Sequence, residues 1–270
     1  MHEKTLAAKP RPAFGRAIGI DYSGAATAET GLAGLRVYTA QGTAPPTEAH
    51  TPEYGRKHWS RRELAVWLTQ RLGEDVPTIV GIDHGFSFPL PYFERYGSPR
   101  DWPAFLDDFQ AFWPTDAPSV TVQQIRDGAY GKEGTRPGNA RWRRLSEIRT
   151  GRAKSVFHFD VPGSVAKSTH AGLPWLRFLR RELGDRVHFW PFDGWDFPSG
   201  KSVVAECYPA LWSRSFPREG RTQDQQDAYS LAAWLRRADA DGALAACCRP
   251  ALTASERATA AIEGWILGVA

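Results

Sequence analysis

The chain has little cysteine, little lysine and no long apolar run. Its 270 residues include three cysteines, Cys207, Cys247 and Cys248. That number supplies no disulfide framework, and the adjacent Cys247–Cys248 pair, with no His pair beside it, departs from zinc-ligand spacing. Structural free thiols and a cytoplasmic setting are therefore expected. No stretch approaches the roughly 18 apolar residues of a membrane helix, so no membrane partner is expected. Met1 to Arg16 is polar, carries Pro10 and Pro12, and lacks an apolar core followed by a small-residue cleavage site. This argues against a secretory signal, and residues 1–15 read as a short disordered lead-in. No internal repeat is visible.

What is present is ordinary for a folded domain. Hydrophobic residues make up 42% and charged residues 24%, which argues against disorder. The length fits one domain, residues 16–270, carrying a sizeable insertion. The formal net charge is +4, and only seven of the 34 basic residues are lysine. Arginine grips phosphate bidentately, which suits a nucleic-acid partner. It equally suits the codon usage of a GC-rich genome.

Apolar runs and caps outline the elements. Arg16 to Gly24 reads as a buried strand ending in Asp21 and a tight turn. Gly31 to Ala40 supplies a second strand, followed by a loop over 41–53 and a short third strand. Ser60 and Glu63 form a capping box for a helix that carries Leu64, Trp67, Leu68 and Leu72 and stops at Gly73. Pro77 to Asp83 is another apolar strand. Residues 84–160 are crowded with Phe, Trp, Tyr, Pro, Gly and arginine, and Pro103 to Phe112 is the one helix expected there. A helix over 164–182, broken at Gly172–Pro174, precedes strands at 186–191 and 201–206. Thr222 and Gln225 cap a helix with the stripe Ala228, Leu231, Ala232 and Leu235, and a last helix covers 254–262. The alternation predicts an α/β fold with a mixed sheet flanked by helices and a large aromatic- and Arg-rich insertion at about 84–160.

Three of the strands end in a carboxylate: Asp21, Asp83 and Glu206. Ligand sites in open α/β sheets form beyond the carboxyl ends of parallel strands. Asp224 and Asp227 lie three residues apart on one face of the helix after Thr222, near its positive end. Carboxylates gathered in one place repel unless a cation neutralises them. Hard ions such as Mg²⁺ or Mn²⁺ suit such a set, and a pair of them activates water and stabilises the leaving oxygen in phosphodiester cleavage. The candidate catalytic residues are therefore Asp21, Asp83, Glu206, Asp227 and Asp224, with Asp21, Asp83, Glu206 and Asp227 as metal ligands.

The motifs Ile18-Gly-Ile-Asp21-Tyr-Ser-Gly24, Val80-Gly-Ile-Asp83-His-Gly-Phe-Ser-Phe-Pro89, Ala205-Glu206-Cys-Tyr-Pro209, Asp224-Gln-Gln-Asp227-Ala-Tyr-Ser-Leu-Ala232 and Glu263-Gly-Trp-Ile266 run over most of the chain. Together they resemble the RNase H-like superfamily of Holliday-junction resolvases, integrases and RNases H, and more closely a family of predicted RNase H-like nucleases within it. The resemblance implies that Asp21 is the first-strand acid bridging two metals, that Asp83 stands at the resolvase-type acid after the fourth strand, and that Asp227, with Asp224 beside it, is the late helical acid. Glu206 matches the narrower family's own motif. The sequence departs in carrying Asp83 where Glu is common, and in the length between 84 and 200.

Arg141, Trp142 and Arg144, within an arginine-rich stretch, read either as a phosphate-tracking surface with a stacking aromatic or as a solvated face. Lys167, His170 and His84 read either as phosphate contacts near the acids or as structural residues. The segment from Gly163 to Ser168 lacks the spacing of a phosphate loop. The expected function is a Mg²⁺- or Mn²⁺-dependent nuclease acting on DNA or RNA. The alternatives are an ATP-dependent phosphotransferase or nucleotide hydrolase of the related sugar-kinase and actin group, which would need a second glycine-rich phosphate turn, and a non-catalytic nucleic-acid-binding module.

Overall fold

A computed structural model describes residues 12–52, 54–129 and 134–270. The chain runs β1 (Arg16–Asp21), β2 (Arg36–Gln41), β3 (Thr47–Glu48), α1 (Arg61–Leu72), β4 (Thr78–Asp83), α2 (Leu90–Tyr96), α3 (Trp102–Phe112), α4 (Val122–Arg126), α5 (Leu145–Thr150), α6 (Ala166–Leu183), β5 (Val187–Trp190), β6 (Ser202–Glu206), α7 (Gln223–Ala240), α8 (Leu244–Cys247) and α9 (Ala254–Glu263). The described strands form one sheet in the order β3-β2-β1-β4-β6-β5. The β1, β2 and β3 strands are antiparallel neighbours, whereas β1, β4, β6 and β5 run parallel. This is an α/β architecture with a mixed sheet flanked by helices.

The central strands are apolar throughout because both faces are covered. Ile18, Ile20, Val80, Ile82 and Val204 point to one face and join a core with residues of α1, α3 and α6. Ala17, Ile79, Val203 and Ala205 point to the other and pack with Ala228, Leu231, Ala232 and Leu235 of α7. Gly19 makes the second packing possible. A Cβ there would lie 2.2 Å from the Ala228 carbonyl oxygen, so only glycine lets α7 cross β1 this closely.

Several expectations are revised. The described residues of 84–160 hold four helices, α2 to α5, where the sequence pointed to one. They are short, two begin with proline in their first turn, and their aromatics face inward on every side, which blurs a 3.6-residue period. Phe88, Tyr92, Phe105, Phe109 and Phe157 belong to the same core as Ile18 and Val80. The third strand lies inside the expected 41–53 loop. Of the expected lead-in, residues 1–11 fall outside the described residues. Residues 12–15 are tied down, since the Ala13 and Phe14 amides each donate to the Asp239 carboxylate at 2.9 Å and Phe14 is buried.

The α6 helix is continuous through Pro174 rather than broken before it. A helical proline leaves the carbonyl four residues back without its donor. That carbonyl belongs to His170, and the Thr115 hydroxyl donates to it at 2.8 Å. The break expected from sequence is absent because another segment supplies the missing bond.

Candidate functional site

Asp21 and Asp83 end β1 and β4 and are paired directly across the parallel ladder. Their side chains therefore leave the same face of the sheet, two residues beyond Gly19 and Gly81, with the strands about 4.8 Å apart. That face is the one α7 covers. The amino-terminal turns of α7, fixed by the Thr222–Gln225 capping box, carry Asp224 and Asp227 over the strand ends. Ser23 Oγ and Asp224 Oδ2 flank Gly34, 3.7 and 3.5 Å from where a Cβ would stand. The turn after β1 and the start of α7 thus meet at one point.

Four carboxylates share one field here. Burial pushes Asp21 well above the usual carboxylate range, and Asp83, Asp224 and Asp227 push it further, opposed by Arg36. Asp83 is raised by burial, then by Asp227 and Glu206. Asp227 is raised by burial and by Asp224, while Gln223, donating from Nε2 at 2.9 Å, and Arg218 hold it down. No described residue donates a hydrogen bond or offers an ion pair to the carboxylates of Asp21, Asp83 or Asp224. Unpaired oxygen ligands on rigid strand ends suit a hard divalent cation. Among the described residues, however, no three His, Cys, Asp or Glu side chains already stand in an arrangement that would hold a metal ion.

Glu206 does not join this group, contrary to expectation. It pairs with Ile82, not Asp83, so the one-residue offset turns its side chain to the opposite face. Its carboxylate is 3% exposed and accepts from Arg144 Nη1 at 2.6 Å, from Arg144 Nη2 and from the Phe86 amide at 3.0 Å. These bonds make Glu206 the anchor of a buried network rather than a free ligand. Arg144, expected to contact nucleic acid, is fully buried in the same network, with Nε donating to Glu147 at 2.9 Å. Glu263 extends it by accepting from the Leu90 and Leu145 amides at 2.7 and 2.6 Å. The network fastens β6 to the loop after β4 and to α2, α5 and α9.

The remaining expected contacts separate. His170 is 1% exposed and ringed by Phe88, Phe109, Trp113, Phe157 and Phe159, so it is a core residue away from the acids. Burial pushes it down to about 3. His84 is buried between Tyr22, 4.6 Å away, and Gly172, where a Cβ would strike its ring. Burial brings it down to about 4. Lys167 is exposed, and the backbone of its turn packs on Gly24 beside the β1 turn. Arg141 is exposed and Trp142 half-buried with its edge on Phe157. Around them Arg136 pairs with Asp108, Arg149 pairs with Glu256, and Arg143 donates to the Glu147 and Ala153 carbonyls. Much of the arginine stretch is therefore occupied in holding the fold.

One residue bearing on the site was not expected. Arg61 is fully buried with no carboxylate partner among the described residues, and donates to the carbonyls of Ala25 at 2.6 Å, Ala26 at 3.1 Å and Ser23 at 3.3 Å. It fixes the turn that follows Asp21. Its sequence signal is a cation in helical phase with Leu64, Ala65 and Leu68 on the inward stripe of α1. No helix among the described residues is long and apolar enough to cross a membrane. Compared with family models, with curated proteins and with solved structures, the chain matches none of them.

Proposed function

We propose that the protein is a metal-dependent nuclease of RNase H-like fold that hydrolyses phosphodiester bonds of DNA or RNA in the cytoplasm. Asp21, Asp83 and Asp227 would hold Mg²⁺ or Mn²⁺, with Asp224 beside them. The observation carrying this reading is the in-register pair Asp21 and Asp83, unpaired and electrostatically strained at the carboxyl edge of a mixed sheet. The three free cysteines suit a reducing compartment.

When bound, such ions activate water and stabilise the leaving oxygen. The chain's own groups prepare the place. Strand pairing sets Asp21 and Asp83 side by side, α7 brings Asp227 over them, and Gln223 orients one Asp227 oxygen. Arg61 holds the turn after Asp21, and Arg36, opposite Asp21 on β2, tempers the negative field without pairing with it. Glu206 acts at one remove, by fixing the backbone of Phe86 three residues after Asp83.

The absence of a preassembled three-ligand set among the described residues favours a second reading, a nucleic-acid-binding module without turnover. One experiment separates the two. Single-stranded DNA, duplex DNA and RNA are incubated with Mn²⁺ and either the wild type or Asp21→Asn. Cleavage by the wild type alone supports the nuclease. Equal cleavage by both proteins, or none of any substrate, sinks it, and salt-sensitive binding that survives Asp21→Asn favours the module.

A further inference from the structure

A cation stands directly opposite Asp21 and yet leaves it unpaired. Arg36 is the cross-strand partner of Asp21 in the antiparallel β1–β2 ladder, so both side chains leave the same face of the sheet, with Cβ atoms about 5 Å apart. An arginine can span that gap, and a guanidinium paired with a carboxylate is among the stronger polar contacts. The guanidinium turns instead to the next strand, where Nη1 donates to Glu48 Oε1 at 3.0 Å. Glu48 faces Tyr38 in the β2–β3 register, which puts it on the α7 side as well. Its other oxygen, Oε2, accepts from Gln225 Nε2 at 2.9 Å and from the Tyr38 hydroxyl at 3.4 Å. Gln225 is itself fixed, because its Oε1 accepts from the Thr222 amide at 3.0 Å in the capping box that opens α7. Arg36 Nε is buried with no hydrogen-bond partner among the described residues. A guanidinium with an unsatisfied N–H, within the field of the Asp21 carboxylate, would move to Asp21 if Glu48 released it.

We propose that Glu48 is a positioning residue that draws Arg36 away from Asp21 and so keeps the Asp21 carboxylate open to a divalent cation. The need for an open Asp21 rests on the nuclease reading, whereas the competition between Glu48 and Asp21 for one guanidinium does not. Through Gln225 the same carboxylate ties β3 to the first turn of α7, the helix that carries Asp224 and Asp227. Docking of α7 and withdrawal of Arg36 are therefore joined at one side chain. The helix that brings two acids toward Asp21 also steadies the group that removes its rival cation. Glu48 acts through Arg36 and needs no contact with the bound ion.

Calorimetry measures Mn²⁺ affinity for the wild type, Glu48→Gln, Arg36→Met and the double variant. Glu48→Gln should bind about tenfold more weakly, the worth of one charge-assisted hydrogen bond that Mn²⁺ must then displace from Asp21. Arg36→Met should bind at least as tightly as the wild type, since it removes only the competing cation. In the Arg36→Met background, Glu48→Gln should change affinity by less than about twofold, because Glu48 has nothing left to hold. A Glu48 acting by its own charge alone would cost the same in both backgrounds, and that additive result would overturn the proposal. So would weaker Mn²⁺ binding in Arg36→Met. A crystal structure of metal-free Glu48→Gln gives a second readout: an Arg36 nitrogen should stand about 3 Å from an Asp21 oxygen. A guanidinium still seated at position 48 would overturn the proposal too. Arg36→Met leaves β3 untouched and keeps the test valid if Glu48→Gln does not fold. A wild type that binds no Mn²⁺ sinks the nuclease reading and the open cation site with it, and the rivalry for Arg36 then stands or falls on the crystal structure. If Mn²⁺ binds and the variants behave as expected while Asp21→Asn cleaves like the wild type, the nuclease reading fails and the role of Glu48 stands.

Discussion

Neutralising one strand-end acid should stabilise the metal-free protein, and the sign of that effect distinguishes a functional site from ordinary turn chemistry. Asp21 and Asp83 face each other across strands about 4.8 Å apart. Two unit charges at about 5 Å in an effective dielectric near 20 repel by about 3 kcal/mol. Solvent at the open sheet edge reduces this to about 1–2 kcal/mol. Both carboxyls are raised above the ordinary value of 3.8 by burial and by their neighbours. A group raised on folding favours the folded state below its unfolded value and loses that contribution as pH climbs through the folded one. The wild type is thus penalised at neutral pH, and Asp83→Asn removes part of the penalty. A chain of this length shifts by about 2 °C per kcal/mol, so the variant should melt about 2–4 °C higher at pH 7 in chelator. The gain should shrink toward zero as pH falls to about 4, where carboxyls protonate in both states. Mn²⁺ at a hundredfold excess over its dissociation constant adds about 2.7 kcal/mol to the wild type and less to the variant, reversing their order. Scanning calorimetry at several pH values, with and without Mn²⁺, reads all of this. A variant less stable than the wild type in chelator, or a gain indifferent to Mn²⁺, would refute the reasoning.

Three further outcomes follow from the packing. Arg144→Met leaves Glu206 buried without its cation and should cost about 3–5 kcal/mol in chemical denaturation, whereas the exposed Arg141→Met should cost under about 0.5 kcal/mol. Thr115→Val should cost about 1–3 kcal/mol by orphaning the His170 carbonyl, and much less in a Pro174→Ala background, where the helix amide takes over. A double-mutant cycle with no coupling would remove that explanation of the continuous helix. Gly19→Ala forces α7 off the sheet and should cost about 3 kcal/mol, read as a lowered denaturation midpoint together with weakened Mn²⁺ binding as Asp224 and Asp227 retreat.

The α/β class and most elements were legible because their signals are local. Capping boxes at Ser60 and Thr222 mark where α1 and α7 begin, and the apolar runs before Asp21 and Asp83 mark β1 and β4. The fate of individual side chains was less legible, because it depends on register and on distant partners. Glu206 ends its strand just as Asp83 does, and nothing local reveals that the two ladders are one residue out of step. Arg144 lies in a basic stretch that reads as surface, yet its partner is 62 positions away. The continuity of α6 through Pro174 likewise depends on Thr115, on a segment the local sequence says nothing about.

The offset between Asp83 and Glu206 also shows where the acidic edge could be rebuilt. Cys207 carries on the ladder by donating its amide to Ile82, and its sulfur lies over Gly81, on the side occupied by α7. Position 207 is thus the place on the third parallel strand from which a new carboxylate would reach Asp83. Positions 204 and 206 project into the helical layer behind and offer no such route. An engineer seeking a firmer grip on a cation would write Cys207→Asp and trim Leu235 to make room. The acidic edge can thus be altered from β6 without touching the buried lattice around Arg144, which lies on the other face of the sheet.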